Sequence, residues 1–147
     1  MTDQSARQDW MSLLATAPAD RIGALAAGLV AAVPHAMLRP PEIGAVMTRG
    51  RTGATGAPFN LGEMTVTRCS LRLASGEVGH AYVQGRDRAK AHQAALVDAL
   101  MQTERAADMR RDILEPLRRA RDDARLARAE KAAATRVDFF TLVRGED

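Results

Sequence analysis

The sequence has few aromatic residues, a single cysteine and no long apolar run. Aromatic residues make up 3% of the chain against 46% hydrophobic residues, so the core must be built mainly from Ala, Leu, Val and Met. Because Cys69 is the only cysteine, the chain cannot form an internal disulfide, which fits a reducing compartment. The longest apolar segment, Ile22 to Val33, is too short and too rich in glycine to span a bilayer. We therefore expect a soluble, unexported, cytoplasmic protein that forms one domain over residues 1–147.

Lysine is also scarce, since only Lys90 and Lys131 among the 21 basic residues are lysines. The net charge of +3 thus comes from arginine, which favours planar, bidentate contacts with anions, although a GC-rich genome gives the same bias. Acidic partners fit this composition. Nucleic acid is not an expected partner, because the charge is modest and no row of aromatic residues is available for base stacking.

Helical patterns flank the centre of the chain. Residues Ala6 to Ala15 predict a first helix that ends before Pro18, and a second helix runs from Ile22 to Pro34 with Asp20 as its N-cap. After the centre, Asp87 is the predicted N-cap of a helix that continues to Leu114 and kinks or restarts at Pro116. Beyond the kink a narrow stripe of small residues is expected to lean on a partner; it consists of Leu117, Ala120, Ala124 and Ala127.

The central stretch predicts strands. Ala45 to Arg49 is long enough for one strand, and Glu63–Leu73 and Val78–Gln84 alternate around a predicted two-residue turn at Ser75-Gly76. That turn pairs Leu71 with His80 and Cys69 with Tyr82 on one face, and leaves Arg68, Ser70 and Arg72 on the other. The fold class is therefore α+β: a small antiparallel sheet with a central hairpin (about 63–84), flanked by N-terminal helices and a long kinked C-terminal helix.

Three glycines, Gly50, Gly53 and Gly56, form a loop between arginines that suggests a phosphate cradle. The spacing does not match a P-loop, because no lysine follows Gly56, nor a dinucleotide fingerprint, because Pro58-Phe59 follows where a helix should open. A structural or interface loop and an autonomous anion or nucleotide site both stay open. The candidate anion or interface residues are Arg49, Arg51, Gly53, Thr55, Gly56, Asn60, Arg68, Arg72, Arg86 and Asp87.

No residue pattern indicates catalysis by this chain alone. The predicted register brings Cys69 near His80, but two ligands are too few for a zinc site, so we expect a buried thiol, a half-exposed imidazole and no metal. Asp87 and Asp98 are better explained as a helix cap and a polar helix position than as an acid and base pair. The segment Arg136 to Arg144 is β-rich and apolar, which predicts an added strand or a docking segment, and it favours a homo-oligomer when the chain is isolated.

Several strings together resemble one family. They are RQDWM, R-x-G-x-T-G-x-x-F, TVTRCSLRL, VQGRD, LVDALMQ and RVDFFTLVRG, and they extend from about Arg7 to Gly145. The chain resembles the PhnG subunit of the bacterial carbon-phosphorus lyase system. That family often has glycine at the position of Ala54, so the alanine here suggests a backbone without positive φ.

The resemblance implies a role in a complex. The expected partners are the PhnH, PhnI and PhnJ subunits, with the nucleosidase centre in PhnI and the radical S-adenosylmethionine centre in PhnJ. The implied reaction of the complex is displacement of adenine from MgATP by methylphosphonate, giving α-D-ribose 1-methylphosphonate 5-triphosphate. This chain is then an interaction subunit with no cofactor of its own, and Phe139, Phe140 and Arg144 are its candidate docking residues.

Overall fold

The computed structural model describes residues 3–135, which begin with two helices. Helix α1 spans Asp3–Thr16 and helix α2 spans Ala19–Ala32, separated at Pro18 as the sequence predicts. Asp20 is not the N-cap of α2: Pro18 holds that position with φ −60°, and Asp20 lies in the first turn without a capping hydrogen bond. An acidic side chain there still interacts favourably with the positive end of the helix dipole.

Three antiparallel strands form the sheet, in the order β1 (His35–Arg51), β2 (Pro58–Leu73) and β3 (Val78–Gln84). Strand β1 is much longer than the predicted Ala45 to Arg49, because it passes through Pro40-Pro41 instead of starting after them. Proline is tolerated there because β1 lies at the edge of the sheet and its register shifts between Met37 and Arg39 and between Arg39 and Glu42.

The predicted register of the β2–β3 hairpin is wrong by one residue. Leu71 pairs with Gly79, and Cys69 pairs with Ala81, because the turn has three residues instead of two. The Leu73 N–H donates to the Glu77 carbonyl at 2.9 Å, and Gly76 closes the turn with a φ of 110°, which favours glycine. The predicted split of β2 is confirmed, since Cys69 is buried, but His80 and Tyr82 move to the open face.

Helix α3 (Arg88–Leu100) covers the other face of the sheet. Its N-cap is Asp87, as predicted, and the Asp87 carboxylate accepts a hydrogen bond from the Lys90 N–H at 2.8 Å. The helix lies so close to β3 that a Cβ on Gly79 would stand 1.9 Å from the Ala95 carbonyl oxygen. Together with α1 and α2, this layer forms the core, which contains Trp10, Leu13, Leu14, Ile22, Cys69, Leu71, Val83, Leu96, Ile113 and Leu117.

The helix predicted to run from Asp87 to Leu114 ends early, whereas the predicted restart at Pro116 is confirmed. Helix α3 ends at Leu100, and after an irregular turn the chain continues through α4 (Ala106–Met109), a π-helical turn (Arg110–Leu114) and α5 (Glu115–Ala134). Pro116 lies at the start of α5, directly after the π turn, where its missing N–H is tolerated. The α+β class with a long C-terminal helix is confirmed.

Candidate functional site

The central hairpin extends beyond the body of the sheet as a two-stranded ribbon. Strand β3 ends at Gln84, which pairs with Val66, whereas β1 and β2 continue to pair from Ala45 with Thr65 as far as Arg51 with Pro58. We call residues 45–65 the arm. Its apolar side chains are exposed to solvent, with Met47 52%, Phe59 44% and Leu61 68% accessible. Exposed apolar side chains that lie side by side are typical of interaction surfaces.

The glycine loop forms the tip of the arm and is held by hydrogen bonds within the loop. A 3₁₀ turn covers Thr52–Ala54, the Gly56 N–H donates to the Thr52 carbonyl at 2.9 Å, and the Arg51 Nη1 donates to the Gly56 carbonyl at 3.0 Å. The expectation for Ala54 is wrong, because its φ is 66° and it lies in the left-handed region next to Gly53. The loop is therefore built as a tight, internally bonded turn.

The candidate arginines lie in separate parts of the molecule. Arg49 pairs with Asn60 near the tip of the arm, whereas Arg68 pairs with Glu42 in the body of the sheet. Eight residues of β2 separate the two positions, which corresponds to about 26 Å along a strand. Arg86 lies between β3 and α3, beside the helix cap Asp87. The structure therefore does not bring Arg49 and Arg51 together with Arg68.

A second polar group lies on the open face of the body. Arg68, Ser70 and Arg72 share this face with His80 and Tyr82, as the register requires. The Ser70 Oγ and the His80 Nδ1 are 3.0 Å apart, and the Arg68 Nη2 donates to Glu42 at 3.4 Å. The Arg68 Nε is buried without a hydrogen-bond partner in the described part of the chain. This face can bind an anion or an acidic surface, but it carries no arranged nucleophile and base beyond the Ser70 and His80 contact.

Asp98 lies on helix α3, as predicted, but it is buried there and accepts more hydrogen bonds than any other side chain among the described residues. It is fully buried on α3, and its Oδ1 accepts from the Arg7 Nε at 3.1 Å and the Trp10 Nε1 at 2.9 Å. Its Oδ2 accepts from the Arg7 Nη2 at 2.7 Å and the His80 N–H at 2.8 Å. These four bonds tie α1, β3 and α3 together and leave the carboxylate occupied, which indicates a structural role.

The strings RQDWM and LVDALMQ supply the members of this cluster, since they contain Arg7, Trp10 and Asp98. The two strings therefore meet where α1 packs on α3. One local signal in the sequence points to the burial of Asp98: it is the only charged residue in the apolar run Ala94–Leu100. A charged residue in such a run is buried only when it is paired.

Cys69 and His80 lie on opposite faces of the sheet, so their expected proximity is wrong. Cys69 is buried beneath α3, and burial raises the pKa of its thiol to about 11, which keeps it protonated and unreactive. The expected buried thiol is confirmed. Among residues 3–135 no group of three or more His, Cys, Asp or Glu side chains is placed to hold a metal ion.

Sequence patterns did not indicate two further polar contacts. The His35 Nε2 and the His92 Nε2 are 2.7 Å apart, and the His35 Nδ1 lies 2.7 Å from the Val33 carbonyl. Burial and the neighbouring His35 both lower the pKa of His92, with burial the larger cause. Buried Lys90 donates to the Ala15 carbonyl at 2.9 Å near the end of α1, and burial lowers its pKa against the opposing effect of Asp87.

The small-residue stripe of α5 lines a groove against the N-terminal helices. Leu117 is buried, and Ala120, Ala124 and Ala127 face Leu13, Ala17 and Pro18 across the groove. The candidate docking residues Phe139, Phe140 and Arg144 lie outside the described residues. No single described helix is long and apolar enough to cross a membrane; α1 and α2 reach the required length and composition only as a pair, bent by 114°.

Comparison with known proteins identifies the family. The model of the phosphonate metabolism protein PhnG matches residues 5–145. A relative from Rhizobium meliloti (strain 1021), named alpha-D-ribose 1-methylphosphonate 5-triphosphate synthase subunit PhnG, is 49% identical over 112 residues, which cover 76% of this chain and 72% of the relative. The chain therefore belongs to the PhnG family of phosphonate metabolism proteins.

Proposed function

We propose that this chain is a non-catalytic subunit of an α-D-ribose 1-methylphosphonate 5-triphosphate synthase. The match to a relative that bears that name, 49% identical over 76% of the chain, carries the proposal. In this role the chain supports displacement of adenine from MgATP by methylphosphonate, in a cytoplasmic complex with PhnH, PhnI and PhnJ. MgATP is the substrate of the complex, and any contact that it makes with this chain belongs to a site shared with another subunit.

The geometry supports an interaction subunit better than an independent enzyme. The Asp98 carboxylate and the glycine loop, which are the most prominent polar features, bond to groups of the same chain. The arm, by contrast, extends apolar side chains into solvent. An autonomous anion site that combines Arg49, Arg51 and Arg68 has less support, because their strand positions are about 26 Å apart.

Reconstitution tests the proposal. PhnI, with PhnH and PhnJ where they are needed for solubility, is incubated with MgATP and methylphosphonate in the presence and absence of this chain, and adenine release is measured. The proposal predicts that the ribosyl product forms efficiently only when the chain is present. Equal rates of product formation without the chain would remove the functional assignment.

A further inference from the structure

The register of the arm gives it two chemically different faces. Side chains of paired residues share a face, and alternate residues along each strand point to opposite faces. Arg49 and Arg51 therefore lie on the same face as Met47 and Glu63, which we call the arginine face. The opposite face carries no charged residue; this uncharged face consists of Val46, Thr48, Gly50, Phe59, Leu61, Gly62 and Met64.

The uncharged face is arranged around a phenylalanine and a bulged leucine. Phe59 pairs with Gly50, and a Cβ on Gly50 would stand 3.6 Å from the ring, so the ring lies over the glycine. Leu61 is the extra residue of a bulge between the pairs Thr48 with Gly62 and Arg49 with Asn60. Its Cβ would be 4.0 Å from that same Gly50 Cβ, which places Leu61 beside Phe59. A Cβ on Gly62 would meet nothing within 4 Å, so the surface next to them is flat and open.

Water is an unfavourable environment for this ribbon. A two-stranded hairpin without a third strand or a covering helix is marginally stable at best, and a flat, apolar strand edge promotes association. Within residues 3–135, strand β3 ends opposite Val66, and helix α3 begins at Arg88 and runs back along β3 to pack Ala95 and Ala99 against Gly79, so neither element extends along the arm. The arm thus needs a covering surface that this part of the chain does not provide.

The distribution of charge identifies the kind of surface. A nucleic acid or an anionic membrane would require cations on the contact face, but the two arginines of the arm lie on the other face. A face made of apolar side chains and glycines fits an apolar protein surface. Arg49 and Arg51 are then left at the rim, where they can meet carboxylates of the same partner or water.

We propose that the uncharged face of the arm is a docking surface that packs against an apolar surface of another subunit of the synthase complex. The inference rests on the proposed function, since it takes that complex as the source of the partner. Leu61 and Phe59 are its central contacts, and the arginine face remains accessible when the complex forms.

Two substitutions on opposite faces test the proposal. The chain is co-expressed with PhnH, PhnI and PhnJ, the complex is isolated through a tag on PhnI, and the amount of this chain per PhnI is measured. Leu61→Glu places a charge on the uncharged face, and Met47→Glu is the matched control, because Met47 is also exposed in the arm. Burying an unpaired carboxylate is strongly unfavourable, so Leu61→Glu should lower recovery at least about tenfold, whereas Met47→Glu should stay within about twofold of the original chain.

Cysteine labelling gives a second measurement that does not depend on disrupting the complex. Cys69 is buried, so a cysteine introduced at an exposed position becomes the reactive thiol of the described chain. Leu61→Cys should react with a maleimide in the isolated chain and be protected in the complex, whereas Met47→Cys should react in both, as read by mass spectrometry of this chain. Circular dichroism of each variant checks the fold.

Each outcome decides between the two proposals. If the unmodified chain does not co-purify with PhnI, the proposed function fails and the inference fails with it. If the unmodified chain co-purifies but Leu61→Glu does so equally well, or Leu61→Cys stays reactive in the complex, only the docking inference fails. It also fails if Met47→Glu and Leu61→Glu reduce recovery equally, or if Leu61→Cys is protected in the isolated chain through self-association.

Discussion

Strands β1 and β2 run through both the body of the sheet and the arm, yet the leucines of β2 are buried in the body and exposed in the arm. In the body, Leu71 is fully buried beneath α3, whereas in the arm, ten residues earlier on the same strand, Leu61 is 68% exposed. Both residues are leucines on a continuous strand, so composition does not explain the difference. Leu71 lies on the face that α3 covers, whereas the bulge places Leu61 on the uncharged face, which continues the open face of the body. In addition, β3 and α3 cover only the body and leave the arm exposed.

The largest expected difference between the regions concerns their carboxylates. Asp98→Ala in the body removes the acceptor for the partly exposed Arg7 guanidinium and for the buried Trp10 Nε1 donor. Each buried donor left without its acceptor lowers the free energy of unfolding by about 1–3 kcal/mol, and the loss of the Arg7 pair adds to this. Glu63→Ala in the arm is the control and should change it by less than about 0.5 kcal/mol, as expected for an exposed residue.

Urea unfolding followed by circular dichroism measures both variants. Comparable losses of stability for Asp98→Ala and Glu63→Ala would show that the arm is as tightly integrated as the body. A loss below about 1 kcal/mol for Asp98→Ala would contradict the structural role of the four hydrogen bonds.

Glycines give the next contrast. Gly79→Ala in the body would place a methyl group 1.9 Å from the Ala95 carbonyl oxygen and 2.7 Å from the Ala99 nitrogen, so α3 would have to move away from β3. Overpacking of this kind costs about 1–3 kcal/mol or more. Gly62→Ala in the arm would meet nothing within 4 Å and should be close to neutral.

Thermal and urea unfolding of the two glycine variants test this contrast directly. If Gly79→Ala keeps the original stability, the close approach of α3 to β3 is wrong. If Gly62→Ala destabilises the isolated chain as much, the arm is already covered before any partner binds.

Sequence patterns predicted the elements of the body more successfully than their relative positions. The helices around Pro18, the cap at Asp87 and the strands of the hairpin follow from local signals, and all are present. The register failed because Ser75-Gly76 suits a two-residue turn as well as the three-residue turn that forms. One residue of difference was enough to move His80 and Tyr82 to the other face.

Other errors arose where distant residues decide the outcome. The role of Asp98 depends on Arg7, which lies 91 positions away, and no local pattern reports that contact. The length of β1 was underestimated because Pro40-Pro41 reads as a break, whereas an edge strand accommodates it at irregular pairs. The glycine loop is distinctive in the sequence, but the spacing of its glycines does not show that it forms the tip of an arm.

A smaller effect is expected at the tip of the arm. Ala54 has a φ of 66°, a conformation that is unfavourable for alanine by about 1–2 kcal/mol. Ala54→Gly should relieve this strain and slow hydrogen exchange at the tip. The free energy of local opening at the tip should rise by about 0.5–1 kcal/mol, once the larger conformational entropy of glycine in the unfolded chain is subtracted. Ala57→Gly is the control, because Ala57 does not have positive φ and should lose stability.

Hydrogen exchange of the isolated chain, resolved by peptide, separates this local effect from a global one. Ala54→Gly should leave exchange in α3 unchanged, because the tip of the arm lies outside the part of the sheet that β3 and α3 cover. Slower exchange in both regions would show instead that the tip and the core unfold together.

The smallest effect concerns pH and should be confined to the body, since residues 45–65 contain no histidine. Burial and the proximity of His35 lower the pKa of folded His92 below its value of about 6.5 in the unfolded chain. The unfolded state therefore binds the proton first, so stability is complete above about pH 6.5 and declines as the pH falls through the folded pKa. His92→Gln should flatten this slope between about pH 5 and 7 in urea titrations. Because the ring is only half-buried, the change should be small, and an unchanged slope would mean that solvent screens the pair completely.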